Sequence, residues 1–124
     1  MSEDNNLKIL TPRVPDRATS IYEDVKTKRV CFSDTISGCL SALQDFPQIY
    51  YVYVPVYDIL QSDLYFPSVD EVIDAECTHE IWVLKKVEVK CIGKIQSDDC
   101  DWIKQYDTGK GKATFFLYPY KWIY

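Results

Sequence analysis

Residues 29–43 read Arg-Val-Cys-Phe-Ser-Asp-Thr-Ile-Ser-Gly-Cys-Leu-Ser-Ala-Leu, and their periodicity changes midway. Arg29 to Phe32 is short, apolar and bounded by polar residues, which is a strand pattern. Ser33-Asp34-Thr35 follows as an N-cap cluster, because side-chain oxygens there accept the unpaired N–H groups of a first helical turn. Ile36, Cys39, Leu40 and Leu43 then recur at helical spacing. The expected helix ends before Pro47, and Tyr50 to Val54, β-branched and aromatic between Pro47 and Pro55, is a second strand.

On either side the pattern is looser. Residues 1–28 are interrupted by Pro12, Pro15 and the polar run Asp16 to Ser20, and read as a loop-rich entry with one short strand at Leu7 to Leu10. Asp58 to Thr78 has no clear period and offers at most one helical turn, at Pro67 to Glu71. Glu80 to Leu84 and Val87 to Ile95 are two strands separated at Lys85-Lys86. Ser97-Asp98-Asp99 resembles a cap, which predicts a short helix carrying Trp102, Ile103 and Tyr106. Gly109-Lys-Gly-Lys112 is a turn, and Ala113 to Tyr118 is a closing strand. Five strands, beside the short one at Leu7 to Leu10, and two short helices that do not alternate as βαβ predict a single α+β domain over residues 1–124 with a mixed or antiparallel sheet.

Composition narrows the function classes. The chain has 124 residues, 47% of them hydrophobic and 15% aromatic, so it can bury a modest core. Fourteen Lys and Arg against nineteen Asp and Glu leave a net charge of −5, which disfavours direct nucleic-acid binding, a role carried by basic residues neutralising phosphates. No apolar run approaches the roughly 20 residues of a membrane helix, and Met1 to Leu10 lacks a signal-peptide pattern. Five dispersed cysteines without a C-x-x-C pair read as reduced thiols, so a cytoplasmic location is expected.

Candidate chemistry is sparse. Cys77-Thr-His79 places a thiol near an imidazole, but the other cysteines stand apart and no four-ligand zinc pattern emerges, so no metal is expected. Gly109 to Lys112 leads into a strand rather than a helix, which removes a phosphate-cradling reading. Phe116, Tyr118, Tyr120, Trp122 and Tyr124 fall on alternate positions and would share one face of an extended segment 113–124. Tyr120, Trp122 and Tyr124 are candidate anchors for a protein partner, since such rings combine area with a polar tip. Asp70, Glu71 and Asp74 form an acidic patch able to face a basic surface, such as the groove of a nucleic-acid-binding protein. A homodimer is also compatible with the odd cysteine count and these rings.

The segment Val30-Cys-Phe-Ser-Asp-Thr-Ile-Ser-Gly-Cys-Leu-Ser-Ala42 resembles the strand-then-helix signature of ADP-ribosyltransferases of the poly(ADP-ribose) polymerase type. Together with Leu10-Thr-Pro-Arg-Val-Pro15, Tyr22-Glu-Asp24 and Thr78-His-Glu-Ile-Trp82, it is also similar to small proteins of low-GC Gram-positive bacteria and their phages. The resemblance touches about half the chain and implies an ADP-ribosyltransferase-like fold.

Carried over by position, the resemblance puts the family's catalytic Tyr on Cys31 and its catalytic Glu on Glu80. The first-strand His or Arg has no counterpart in Met1 to Ile9. One carboxylate without its clamp holds a cationic ribose poorly. The expected function is therefore a non-catalytic interaction protein without a cofactor. A phage or mobile-element inhibitor of a host defence protein, of the anti-CRISPR or a similar anti-defence type, is its most concrete form. The alternative is an NAD-dependent ADP-ribosyltransferase or a sponge for a nucleotide signal, with Glu80 catalytic and Arg29 and Ser33 at the nucleotide.

Overall fold

The structure, a computed structural model, describes residues 1–15, 24, 26–43, 48–73 and 75–124. The strands are β1 (Ile9–Leu10), β2 (Val30–Ser33), β3 (Ile49–Pro55), β4 (Leu64–Tyr65), β5 (Glu80–Val83), β6 (Val87–Ser97), β7 (Trp102–Asp107), β8 (Lys112–Leu117) and β9 (Tyr120–Ile123). The helix α1 (Ile36–Leu43) follows β2, and a single turn, α2 (Ala75–Thr78), precedes β5. The architecture is α+β, and the described strand pairings are antiparallel.

The long strand β6 organises the first sheet. It pairs with β3 along one edge, and its other edge is shared by β1 near Val87 and β9 near Ile95. A second sheet has the order β2-β5-β4, and β7 and β8 form a two-stranded ribbon. A register shift between Val52 and Tyr53, opposite Gly93 and Cys91, bends the first sheet. Val52 and Tyr53 are both buried, one on each face.

Those two faces carry two cores. On one, α1 lays Leu40 against Tyr50, Val52 and Ile95. On the other, Tyr53, Val87 and Val89 meet Val30 and Val83 of the second sheet. A third cluster joins Trp82 to Val72 and Ala75 on the far side of β5.

The Ser33-Asp34-Thr35 cap forms as its chemistry dictates. Thr35 Oγ1 accepts the Gly38 N–H at 2.9 Å, and Ser33 Oγ accepts the Thr35 N–H at 3.3 Å while donating to the Thr78 carbonyl at 2.5 Å. That last bond fixes α1 to the turn before β5.

Two expectations are corrected. The second helix, expected to carry Trp102, Ile103 and Tyr106, is strand β7 instead, so α1 is the only helix longer than one turn among the described residues. Cap-like chemistry at Ser97-Asp98-Asp99 is outweighed by a hairpin: residues 102–107 register against 112–117, and Thr108 closes the turn by donating its N–H to the Gly111 carbonyl at 3.0 Å. The aromatic segment 113–124 is likewise not one strand. Pro119 has no N–H for a ladder, and the chain passes there from β8, paired with β7, to β9, paired with β6.

Candidate functional site

The β2–β5 pairing brings the three residues of the nucleotide reading onto adjoining strands. Ser33 lies opposite Glu80 and Cys31 opposite Trp82, with Arg29 immediately before β2. Antiparallel partners share a face, so Cys31, Ser33, Glu80 and Trp82 point to one side of the sheet. Glu80 Oε1 accepts the Trp82 Nε1–H at 3.1 Å. Desolvation, followed by the neighbouring Glu80 carboxylate, pushes the Cys31 thiol up to about 12, far from a reactive thiolate.

Arg29 occupies this face but does not present its charge to solvent. The residue is 1% exposed, and its guanidinium lies 4.0 Å from the Trp82 ring centroid. Its Nη1 donates to the carbonyls of Asp24 and Thr27 at 3.0 and 2.8 Å, and stands 3.8 Å from the Asp24 carboxylate. Tyr65 packs on Trp82 with centroids 5.4 Å apart, and its hydroxyl donates to Glu71. The Asp24 N–H donates to the Glu71 carbonyl at 2.7 Å. Asp24, Arg29, Trp82, Tyr65 and Glu71 thus form a closed ring of contacts that ties the entry loop to β5.

Asp24 gives this ring a pH dependence. The main-chain N–H groups of Thr27 and Lys26, both 2.7 Å away, hold its carboxyl below its ordinary value of 3.8, with the Thr27 hydroxyl and Arg29 adding to the effect. Glu71 is lowered too, first by the Ser68 hydroxyl and then by that of Tyr65. A depressed carboxylate contributes stability that is complete above the unfolded value and is lost as pH falls through the folded one. The melting temperature is expected to drop between about pH 5 and pH 3, and Asp24→Asn to flatten that drop. Thermal melts across this range check it; parallel profiles would remove Asp24 as a source.

The partner candidates are scattered. Asp70 pairs with Lys110 at 3.2 Å, Glu71 serves the ring just described, and Asp74 lies outside the described residues. Tyr120 and Tyr124 are exposed, whereas Trp122 sits opposite Ile95 and packs, half-buried, against the core cluster of Leu40, Tyr50, Val52 and Ile95. A Cβ on Gly93 would meet the Trp122 ring at 3.0 Å, so this ring fills its space closely. Trp122→Ala is expected to cost about 2–4 kcal/mol of stability by cavity formation, and Tyr124→Ala almost nothing. Urea denaturation of both variants checks the contrast.

Sequence reading missed a groove on the opposite face of the second sheet. Phe32, Leu64, Ile81 and Val83 of the second sheet, with Pro55 at the end of β3 and Ile59, line an open space of about 360 Å³. Ser33, Tyr57 and Asp58 complete the lining, and of these Tyr57 and Asp58 are exposed. Tyr57 is 72% exposed, and Leu60 and Phe66, next in sequence to lining residues or to β4, are exposed as well. The available signal was the cluster of large apolar residues between Pro55 and Pro67 in a stretch without helical or strand period.

His79, at φ 54, turns the chain into β5, and its Nδ1 lies 2.9 Å from Asp34 Oδ1. Among the described residues no group of three or more His, Cys, Asp and Glu is placed to hold a metal ion, and no helix is long and apolar enough to cross a membrane. No family model, curated protein or solved structure matches the chain.

Proposed function

We propose that this chain is a non-catalytic, cytoplasmic interaction protein that acts by docking on another protein. The resemblance to phage proteins and the acidic charge point to an inhibitor of a host defence protein, of the anti-CRISPR or a similar anti-defence type, as the form of that activity.

The observation that carries this reading is the commitment of Arg29. A group that is to bind an anionic cofactor must reach it, and this guanidinium is spent on two carbonyls, a carboxylate and the Trp82 ring. Ser33 and Glu80 are likewise bonded to the Thr78 carbonyl and the Trp82 indole. An apolar groove with the exposed Tyr57 ring in its lining, by contrast, is what a protein-docking face requires.

The alternative, an NAD-dependent ADP-ribosyltransferase or a nucleotide sponge, is supported by one observation, the placement of Glu80 opposite Ser33. Calorimetric titration of the purified chain with NAD⁺, followed by a nicotinamide assay on the same sample, separates the readings. No heat and no nicotinamide are expected. Micromolar binding overturns the interaction reading: with release it makes Glu80→Gln the next variant, and without release it favours the sponge.

A further inference from the structure

We propose that the groove between the two sheets receives an extended segment of a partner protein in which a large apolar residue is flanked by Lys or Arg. The inference rests on the interaction reading above and names the chemistry that this reading leaves open.

Size and lining set the apolar part. A space of about 360 Å³ is at the small end of ligand sites, and it suits one or two large side chains rather than a folded domain. Seven of the nine described lining residues are aliphatic, aromatic or proline, and the exposed Tyr57 ring is among them, positioned to cover what enters. Burying a side chain there removes exposed apolar area on both partners, which is where interface energy concentrates.

Charge sets the flanks. Asp58 is the one charged residue in the lining, it is exposed, and its carboxylate forms no ion pair among the described residues. Asp63, next in sequence to the lining residue Leu64, is already paired with Lys85 at 2.7 Å. Among the described residues the lining holds no basic group, so a phosphate or an acidic peptide would meet Asp58 with no lining cation to offset it. A Lys or Arg beside the inserted residue would reach Asp58 and stack on the Tyr57 ring. The whole chain, at −5, favours encounter with a basic segment in the same sense.

The probe is a displayed library of random linear peptides, selected on the full chain and then synthesised for fluorescence-anisotropy titration. The expected result is enrichment of a large apolar residue with Lys or Arg within two positions. Asp58→Lys is expected to weaken the selected peptide at least tenfold, and Tyr57→Ala about fivefold. Both side chains are exposed, so both variants are expected to fold, and a thermal melt confirms it. No enrichment, enrichment of acidic peptides, or binding indifferent to Asp58→Lys overturns the proposal. The NAD⁺ titration stays separate: heat there defeats the interaction reading itself, whereas a silent titration with no peptide enrichment defeats only this assignment of the groove.

Discussion

Replacing Arg29 by methionine is expected to destabilise the fold by about 3 kcal/mol or more, close to the cost of breaking a buried ion pair from one side. Methionine keeps most of the length and apolar stem, so the loss is chiefly polar. The carbonyls of Asp24 and Thr27 lose their donor, the Asp24 carboxylate loses its nearest cation, and the Trp82 face loses a cation that is out of water. Asp24 keeps some solvent contact, which places the expectation at the lower end of the buried-pair range. Arg29→Lys is also expected to destabilise, because a point ammonium cannot serve two carbonyls and stack flat on an indole together. Urea denaturation measures both, and a double-mutant cycle with Asp24→Asn isolates the ion pair. If Arg29 were held for a ligand, both variants would keep near-native stability, and the ring of contacts would not explain the burial.

Gly38→Ala is expected to cost about 3 kcal/mol or more, beyond the ordinary range for overpacking. On helix propensity alone the sign is opposite, since alanine in place of glycine stabilises a helix interior by up to about 1 kcal/mol. Here a Cβ at position 38 would lie well inside contact distance of the Thr78 carbonyl and Ser33 Oγ, and 2.8 Å from Thr35 Oγ1. The nearest atom is backbone in the turn before β5, so it cannot rotate away. Relief requires α1 to move away from the Thr78 turn, which loosens Leu40 from Tyr50 and Ile95. The urea midpoint of Gly38→Ala, compared with wild type, gives the answer. A stabilised variant would mean that α1 does not approach the second sheet so closely.

These two positions also show why legibility in the sequence was uneven. The strand-cap-helix run 29–43 and the strands around Tyr50, Trp82 and Val89 were readable because each carries its own local pattern. Trp102, Ile103 and Tyr106 were ambiguous because their spacing fits a helix as well as a strand, and the partner strand Lys112–Leu117 settles it. Of the candidate site, Arg29, Ser33 and Glu80 were nameable as residue types. That they would be consumed by Trp82, Thr78 and Asp24 was not, since nothing local records which distant group a side chain meets.

What the amino-acid sequence determined by itself was the α+β class, the cap that starts α1, the absence of a polybasic surface and most strand positions, because these follow from short-range sterics, capping chemistry and composition. Only the tertiary structure decided that β7 is a strand, that the C-terminal rings split at Pro119, that Arg29 is sealed over Trp82 and that an apolar groove opens beside Asp58. Each depends on which segments pack together, and that choice is made by burial summed over the whole chain rather than by any one stretch of it.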